Sequence, residues 1–212
     1  MNIKEIYVLN TALDGKQIVY LPDFSKLHMS VILINSVKEH LVYKGLLESV
    51  GAFTMEGVKI VKRMEDFKQA KKYIKLGALV IGLINENEGV LLKYIPGKED
   101  YSFERIDMTN RVSNLTAAYP FLTELRPSQN PANPESLTLE EIQERFHPGI
   151  DNSIYLSTMD LNEDTAVNGG GITNEIIFDF EGSIYLYDQD AGLLFSKGRD
   201  EILTLIKERM TA

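Results

Sequence analysis

Asp160, Asn162 and Asp164 stand at alternate positions, the spacing with which the first oxygens of a calcium loop surround the ion. Such a loop also needs glycine at its sixth position for the sharp turn and a bidentate glutamate at its twelfth, where this chain has Thr165 and Gly171. Residues 160–171 therefore read as a solvated acidic loop. Asn168-Gly169-Gly170-Gly171 could offer backbone amides to a phosphate, but no Gly-Lys-Ser/Thr follows, so a loop connection is the better reading. Asp188-Gln189-Asp190-Ala191-Gly192 has Arg199 where a calcium loop needs glutamate, and reads as a turn after a strand. His28, His40 and His147 share no zinc spacing, and no serine or threonine can be tied to any of them as a nucleophile. The carboxylate pairs Glu140-Glu141 and Glu163-Asp164 sit in polar stretches, where nothing would raise a pKa for acid catalysis. No catalytic residue, metal or cofactor is expected, and the chain reads as a binding protein rather than an enzyme.

Lys59, Lys62, Arg63, Lys68, Lys71, Lys72 and Lys75 form a basic stretch. It follows a helix, a turn and a Thr54-initiated helix, an order found in winged-helix DNA readers. No basic wing follows Ala78, so the plainer reading is a solvated basic face. The charge of −9 divides unevenly: residues 1–76 carry 12 Lys/Arg against 8 Asp/Glu, and residues 77–212 carry 10 against 23. Phosphate contacts need lysine and arginine, so the acidic part is a poor surface for nucleic acid. The absence of cysteine excludes disulfides and thiolate metal sites. Asn2, Lys4 and Glu5 interrupt any apolar leader, and the longest apolar runs, Val31 to Ile34 and Ala78 to Ile84, are too short to span a membrane. A cytoplasmic location is the expectation.

Several elements would carry these residues. Ile3, Ile6, Tyr7, Asn10 and Leu13 predict a helix over 3–14 behind an Asn2 cap, with Gly15 at its end. Ile18 to Leu21 reads as a short strand stopped by Pro22. Ser36 and Glu39 suggest a capping box that opens a second helix, and Thr54 a third, whose spacing runs on through Ala70, Tyr73 and Ile74 with a kink or restart at Asp66. Ala78 to Ile84, Val90 to Ile95 and Tyr101 to Ile106 read as strands. Thr138 and Glu141 cap a short helix ended by Pro148-Gly149. Ser153 to Met159 is a strand, Ile176 to Phe180 and Ser183 to Tyr187 form a hairpin across Glu181-Gly182, and a final helix from Arg199 carries Ile202, Leu205, Ile206 and Met210. The fold class is α+β, an antiparallel sheet flanked by helices. Residues 1–125 form an N-terminal helical and hairpin half, 126–136 a proline-rich connection and 137–212 a C-terminal hairpin and helix half, with one shared domain expected.

The order of these features resembles the EspG-type and EsaE-like accessory chaperones of type VII (ESX) secretion, the latter from Firmicutes. The resemblance rests on Leu9-Asn10-Thr11-Ala12-Leu13 with Gly15 and Leu21-Pro22, on Leu41 and Tyr43-Lys44-Gly45-Leu46-Leu47, and on Thr54-Met55-Glu56-Gly57. It continues in the hairpin from Val80-Ile81-Gly82-Leu83 to Val90-Leu91-Leu92, the run Ile177 to Tyr185, the patch Leu193-Leu194-Phe195 and a short terminal helix. Asp107 to Asp151 contributes nothing to the match. The resemblance implies two pseudo-related halves around an antiparallel sheet and no cofactor. It also implies a helical secreted substrate delivered to a membrane ATPase, and a binding loop between early strands at Asn85, Glu86, Asn87 and Glu88; the plainer reading of those four residues is a solvated turn. Two other functions remain open: an immunity or antitoxin-like protein that neutralises a basic toxin through its acidity, and a DNA-binding regulator using residues 36–76.

Overall fold

The computed structural model describes residues 1–49, 51–108, 119–122, 134–161 and 171–210. Five α-helices lie in these residues: α1 Ile3–Asn10, α2 Val31–Tyr43, α3 Met55–Gln69, α4 Leu139–Phe146 and α5 Arg199–Arg209. The strands are β1 Lys72–Leu76, β2 Leu79–Leu83, β3 Glu88–Ile95, β4 Asp100–Asp107, β5 Glu135–Ser136, β6 Ile150–Asp160, β7 Gly171–Phe180, β8 Ser183–Asp188 and β9 Leu193–Lys197. The class is α+β, and the pairs β2–β3, β1–β6, β6–β7, β7–β8, β8–β9 and β5–β9 are all antiparallel. The chain packs as two compact units, and segments of both come from the first half of the sequence.

In the first unit, Met1–Ala70, Ala78–Ile84 and Gly89–Ile106, the helices α1, α2 and α3 accompany strands in the order β4-β3-β2. Asn2 caps α1 and exchanges hydrogen bonds with Glu5: the Glu5 N–H donates to Asn2 Oδ1 at 3.0 Å and the Asn2 N–H to Glu5 Oε2 at 2.9 Å. Ile6, Leu9, Leu41, Met64, Phe67, Ile81 and Val90 are buried, and the Phe67 and Phe103 rings meet edge to face at 5.6 Å.

Three expectations for this region need correction. Ile18 to Leu21 is a turn, with Tyr20 at φ 63°. The Gln17 amide replaces strand pairing there, donating to the carbonyls of Ile18, Leu21 and Pro22 and accepting from the Phe24 N–H. The second helix starts at Val31, five residues before Ser36. Ser30 is the cap, its Oγ accepting from the Leu33 N–H at 3.2 Å, and the apolar run Val31 to Ile34 is the first helical turn. The third helix is continuous through Asp66, whose carboxylate pairs with Lys62 and Arg105, and it stops at Ala70. Tyr73 and Ile74 then belong to β1, where these adjacent residues point to opposite faces and are both buried, which removes the alternation that marks a half-exposed strand.

The second unit, Lys71–Gly77, Asn85–Glu88 and Asp107–Ala212, has strands in the order β1-β6-β7-β8-β9-β5. Register fixes the two faces. Leu156, Glu175 and Asp188 share one row and Ile154, Ile177 and Leu186 the next, on the face where Arg209 of α5 reaches Glu175. Phe178, Tyr187 and Leu194 lie on the opposite face, packed with Ile142 and Phe146 of α4. The Phe146 ring meets Phe178 at 5.2 Å and Phe180 at 5.0 Å, both edge on. The β7–β8 turn places Glu181 at φ 49° and Gly182 at φ 80°, the left-handed pair that a two-residue hairpin loop demands. Of the proline-rich connection, residues 126–133 lie outside the described residues, and Glu135–Ser136 forms β5 against β9. Leu193-Leu194-Phe195, expected as an apolar patch, is the core of β9.

Gly57 lies buried in α3, where a Cβ would collide with the Leu46 carbonyl oxygen. Alanine is favoured over glycine by about 1 kcal/mol in an open helix. Here Gly57→Ala should instead destabilise the fold by about 1–3 kcal/mol, read as a lower urea midpoint. A second prediction concerns the start of α5, where the Gly198 N–H donates to Glu201 Oε2 at 2.8 Å and, with Lys197, holds the Glu201 carboxyl below its usual range. A depressed folded pKa contributes stability above the unfolded value of about 4.3, and that contribution is lost as pH falls through the folded pKa. Glu201→Gln should therefore be less stable than the parent at pH 7, and the gap should close as the pH is lowered below about 4.

Candidate functional site

The α2 helix ends in a way that exposes a side chain of unusual size for a surface. The Gly45 N–H donates to Val42 O and the Leu46 N–H to Leu41 O, both at 2.9 Å, with Gly45 at φ 69°. This is a Schellman stop, and its apolar pair Leu41 and Leu46 is buried. Thr54 caps α3 while its Oγ donates to Gly45 O at 2.6 Å and its N–H to Leu46 O at 3.2 Å, so the end of α2 and the start of α3 are bonded into one corner. Leu33, Ile34, Val37 and Leu41 supply the inward stripe of α2. Tyr43 and Met55 fall off the inward faces of their helices and stand 87% and 78% exposed, with Val58 one turn further on at 51%. At the other end of α2, Val31 and Ile32 are 74% and 82% exposed.

Tyr43 is positioned from behind. Its ring stacks on the His40 imidazole, with centroids 6.4 Å apart and planes within 15°. His40 Nδ1 lies 2.8 Å from Oε1 of Glu5, a carboxylate fully buried on α1. Lys44 Nζ lies 2.8 Å from Oε1 and 2.9 Å from Oε2, and the Asn2 N–H completes the set. Oε2 accepts hydrogen bonds from the Asn2 N–H and from Lys44 Nζ.

A carboxylate behind an imidazole activates a hydroxyl when one faces the far nitrogen. Among the described residues the contacts of His40 are with the Glu5 carboxylate and the Tyr43 ring. The cluster carries an exposed aromatic ring at the end of α2, and Met55 and Val58 are exposed at the start of α3. Aromatic anchors of that kind dominate protein interfaces because they bury much surface at little cost in side-chain entropy.

Asn85, Glu86, Asn87 and Glu88 are exposed and close on themselves: Asn85 Oδ1 accepts from the Asn87 and Glu88 N–H groups at 2.8 and 3.0 Å, and the Asn85 N–H donates to Glu88 O. The Met108 N–H donates to Asn87 O at 2.8 Å. The loop is a polar, internally bonded turn with no apolar side chain of its own.

The basic stretch is divided between two elements. On α3, Lys59 pairs with Glu56, Lys62 with Glu65 and Asp66, and Lys68 with Asp14, so acidic neighbours interrupt the face a nucleic acid would need. Lys71, Lys72 and Lys75 lie in or next to β1, where Lys75 sits over the Tyr155 ring. Burial lowers the pKa of Lys72.

The remaining sequence candidates are dispersed. Asp160 ends β6 and Gly171 begins β7, with Asn162 through Gly170 outside the described residues. Asp188 Oδ1 accepts from the Asp190 and Ala191 N–H groups, and the Asp190 carboxylate accepts from Asn174, which makes that segment a turn. Glu141 caps α4, where the Thr138 N–H holds its carboxyl below the usual range. Among the described residues no set of three His, Asp or Glu side chains comes together as metal ligands, and no helix is long and apolar enough to cross a membrane.

A family model described as "Domain of unknown function (DUF5081)" matches residues 1–188, and the chain belongs to that family. No curated protein matches it.

Removing Glu5 should test the support directly. Glu5→Ala leaves Lys44 and His40 without their anion and takes the α1 capping box apart, and should cost about 3 kcal/mol. Lys44→Met should cost less, because Lys44 is partly exposed and His40 still faces the carboxylate. Urea midpoints of the two variants and their double mutant measure the coupling.

Proposed function

We propose that this DUF5081 member is a non-enzymatic adaptor that binds a helical partner protein through the α2–α3 corner. The observation that carries the reading is Tyr43: an aromatic ring 87% exposed at the end of α2, next to His40 and the buried Glu5, with Met55 and Val58 exposed at the start of α3. A fold gains nothing for itself by placing such side chains in water, whereas an amphipathic helix laid across them would bury them.

Within that class we favour a chaperone of type VII secretion substrates that acts in the cytoplasm, keeps a helical substrate soluble and hands it to the secretion ATPase. The support is the order of helices and hairpins that resembles EspG-type and EsaE-like proteins, and two pseudo-related halves are part of the same proposal. The interface in this reading is the α2–α3 corner rather than Asn85 to Glu88, since that turn offers no apolar grip. A DNA-reading role for residues 36–76 is disfavoured by the ion pairs along α3.

The test is calorimetric titration against each small helical protein encoded beside this chain's gene. One of them should bind with a Kd that rises ten- to a hundredfold, about 1.4–2.8 kcal/mol, in Tyr43→Ala and Met55→Glu, while the melting temperature is unchanged. Failure of every such protein to bind removes the secretion reading. Binding that ignores both variants moves the interface away from the corner.

A further inference from the structure

The outward face of α2 carries a seam. Ile32, Ser36, Glu39 and Tyr43 recur at steps of four, three and four residues, the spacing that keeps the core positions of a coiled coil on one line. All four are exposed, Ile32 at 82% and Tyr43 at 87%, while Leu33, Ile34, Val37 and Leu41 turn inward. Ile32 and Tyr43 stand about 16 Å apart along the axis. The seam is therefore apolar at both ends and polar between them.

Its two inner positions are uncommitted. Among the described residues no hydrogen bond or ion pair engages the Ser36 or Glu39 side chain. The neighbours of Glu39 three and four residues away on its own helix are Asn35, Ser36, Val42 and Tyr43, none of them basic. Lys38 lies about 100° round the axis from Glu39, and His40 and Lys44 are turned to Glu5.

We infer that this seam takes one helix of another protein, apolar at its two outer positions and carrying lysine or arginine at an inner one. A helix presents side chains with that recurrence over three turns, and a strand does not. Charge then decides which helix. A second copy of α2 would bring the two Glu39 carboxylates into the same or adjacent layers of the seam, and a helix with an acidic residue there meets the same repulsion. A wholly apolar helix would bury Glu39 without a counter-charge. A basic residue answers Glu39, and the Ser36 hydroxyl beside it can accept from the same group. The charge pair sets the choice of partner more than the strength of binding, which comes from burying Ile32 and Tyr43. The inference rests on the reading of the chain as a binder of helical proteins, and it extends the contact from Tyr43 along α2 to Ile32 at the other end of the helix.

The probe is a labelled synthetic helix of about 18 residues, with leucine at the two outer seam positions and lysine at the two inner ones, followed by fluorescence anisotropy with the full chain. Saturable one-to-one binding is expected, about tenfold tighter than that of the same peptide with glutamate at the inner positions. Glu39→Gln should bring the two peptides within about twofold of each other, and Glu39→Lys should reverse their order. Ile32→Ser should weaken binding of the lysine peptide about tenfold, and Glu140→Lys on α4 should leave it within about twofold. Every side chain substituted here is exposed, so the melting temperatures should match the parent's. No binding, an unchanged peptide preference in Glu39→Lys, or an unchanged affinity in Ile32→Ser overturns the assignment. So does a dimer of the parent that Tyr43→Ala dissolves, since a second copy would then occupy the seam. Met55→Glu separates this inference from the corner. Weaker binding of the lysine peptide in Met55→Glu but not in Ile32→Ser leaves the corner and removes the seam, whereas a reversed preference in Glu39→Lys with no effect of Met55→Glu keeps the seam and removes the corner.

Discussion

The buried carboxylate of Glu5 is the constraint around which the first unit is arranged. A charge removed from water costs several kcal/mol unless its surroundings answer it, and here the answers come from three places in the chain. The Asn2 amide fixes the start of α1, Lys44 fixes the last turn of α2, and His40 fixes the face that α2 presents. Once these are set, the Schellman stop at Gly45 and the Thr54 bridge determine where α3 begins, and Gly57 lets α3 approach the Leu46 carbonyl. Tyr43 is exposed because the inward stripe of α2 is already assigned, and its ring lies nearly parallel to the imidazole of His40 three residues earlier.

The second unit answers the same problem with a different pair. Glu175 sits buried between Leu156 and Asp188 in its row of the sheet, and Arg209 reaches it from the last turn of α5. The carboxylate beside it raises the Arg209 pKa further, so the guanidinium stays charged across the whole pH range of the fold. That contact ties down the C-terminal end of α5, while Arg199, donating to Leu122 O at 3.1 Å, ties down its beginning. The helix is held at both ends.

Local chemistry was legible in the sequence and long-range pairing was not. The Asn2, Thr54 and Thr138 caps, the Glu181-Gly182 turn and the stripe Ile202, Ile206 and Met210 depend on residues three or four apart, and each stands where its spacing places it. Ser36 misled because it satisfies the capping pattern, while the true cap Ser30 precedes the continuous apolar run Val31 to Ile34, which shows no helical period of its own. Tyr73 and Ile74 misled because a strand buried on both faces loses its period. Glu5 and His40 are 35 positions apart, and only the packing of α1 on α2 makes them neighbours. The one local hint was Glu5 as the third helical residue, which explained its cap and concealed its second role.

The split in formal charge between the two parts of the sequence takes on a different meaning in the fold. The surplus lysines of α3 are largely neutralised by their own neighbours Glu56, Glu65, Asp66 and Asp14, so the basic stretch does not act as a basic surface. In the proposed reading the exposed Tyr43, Met55 and Val58 select a partner by burial rather than by charge, so the strength of binding should be nearly independent of salt. All three lie within the span of the family match.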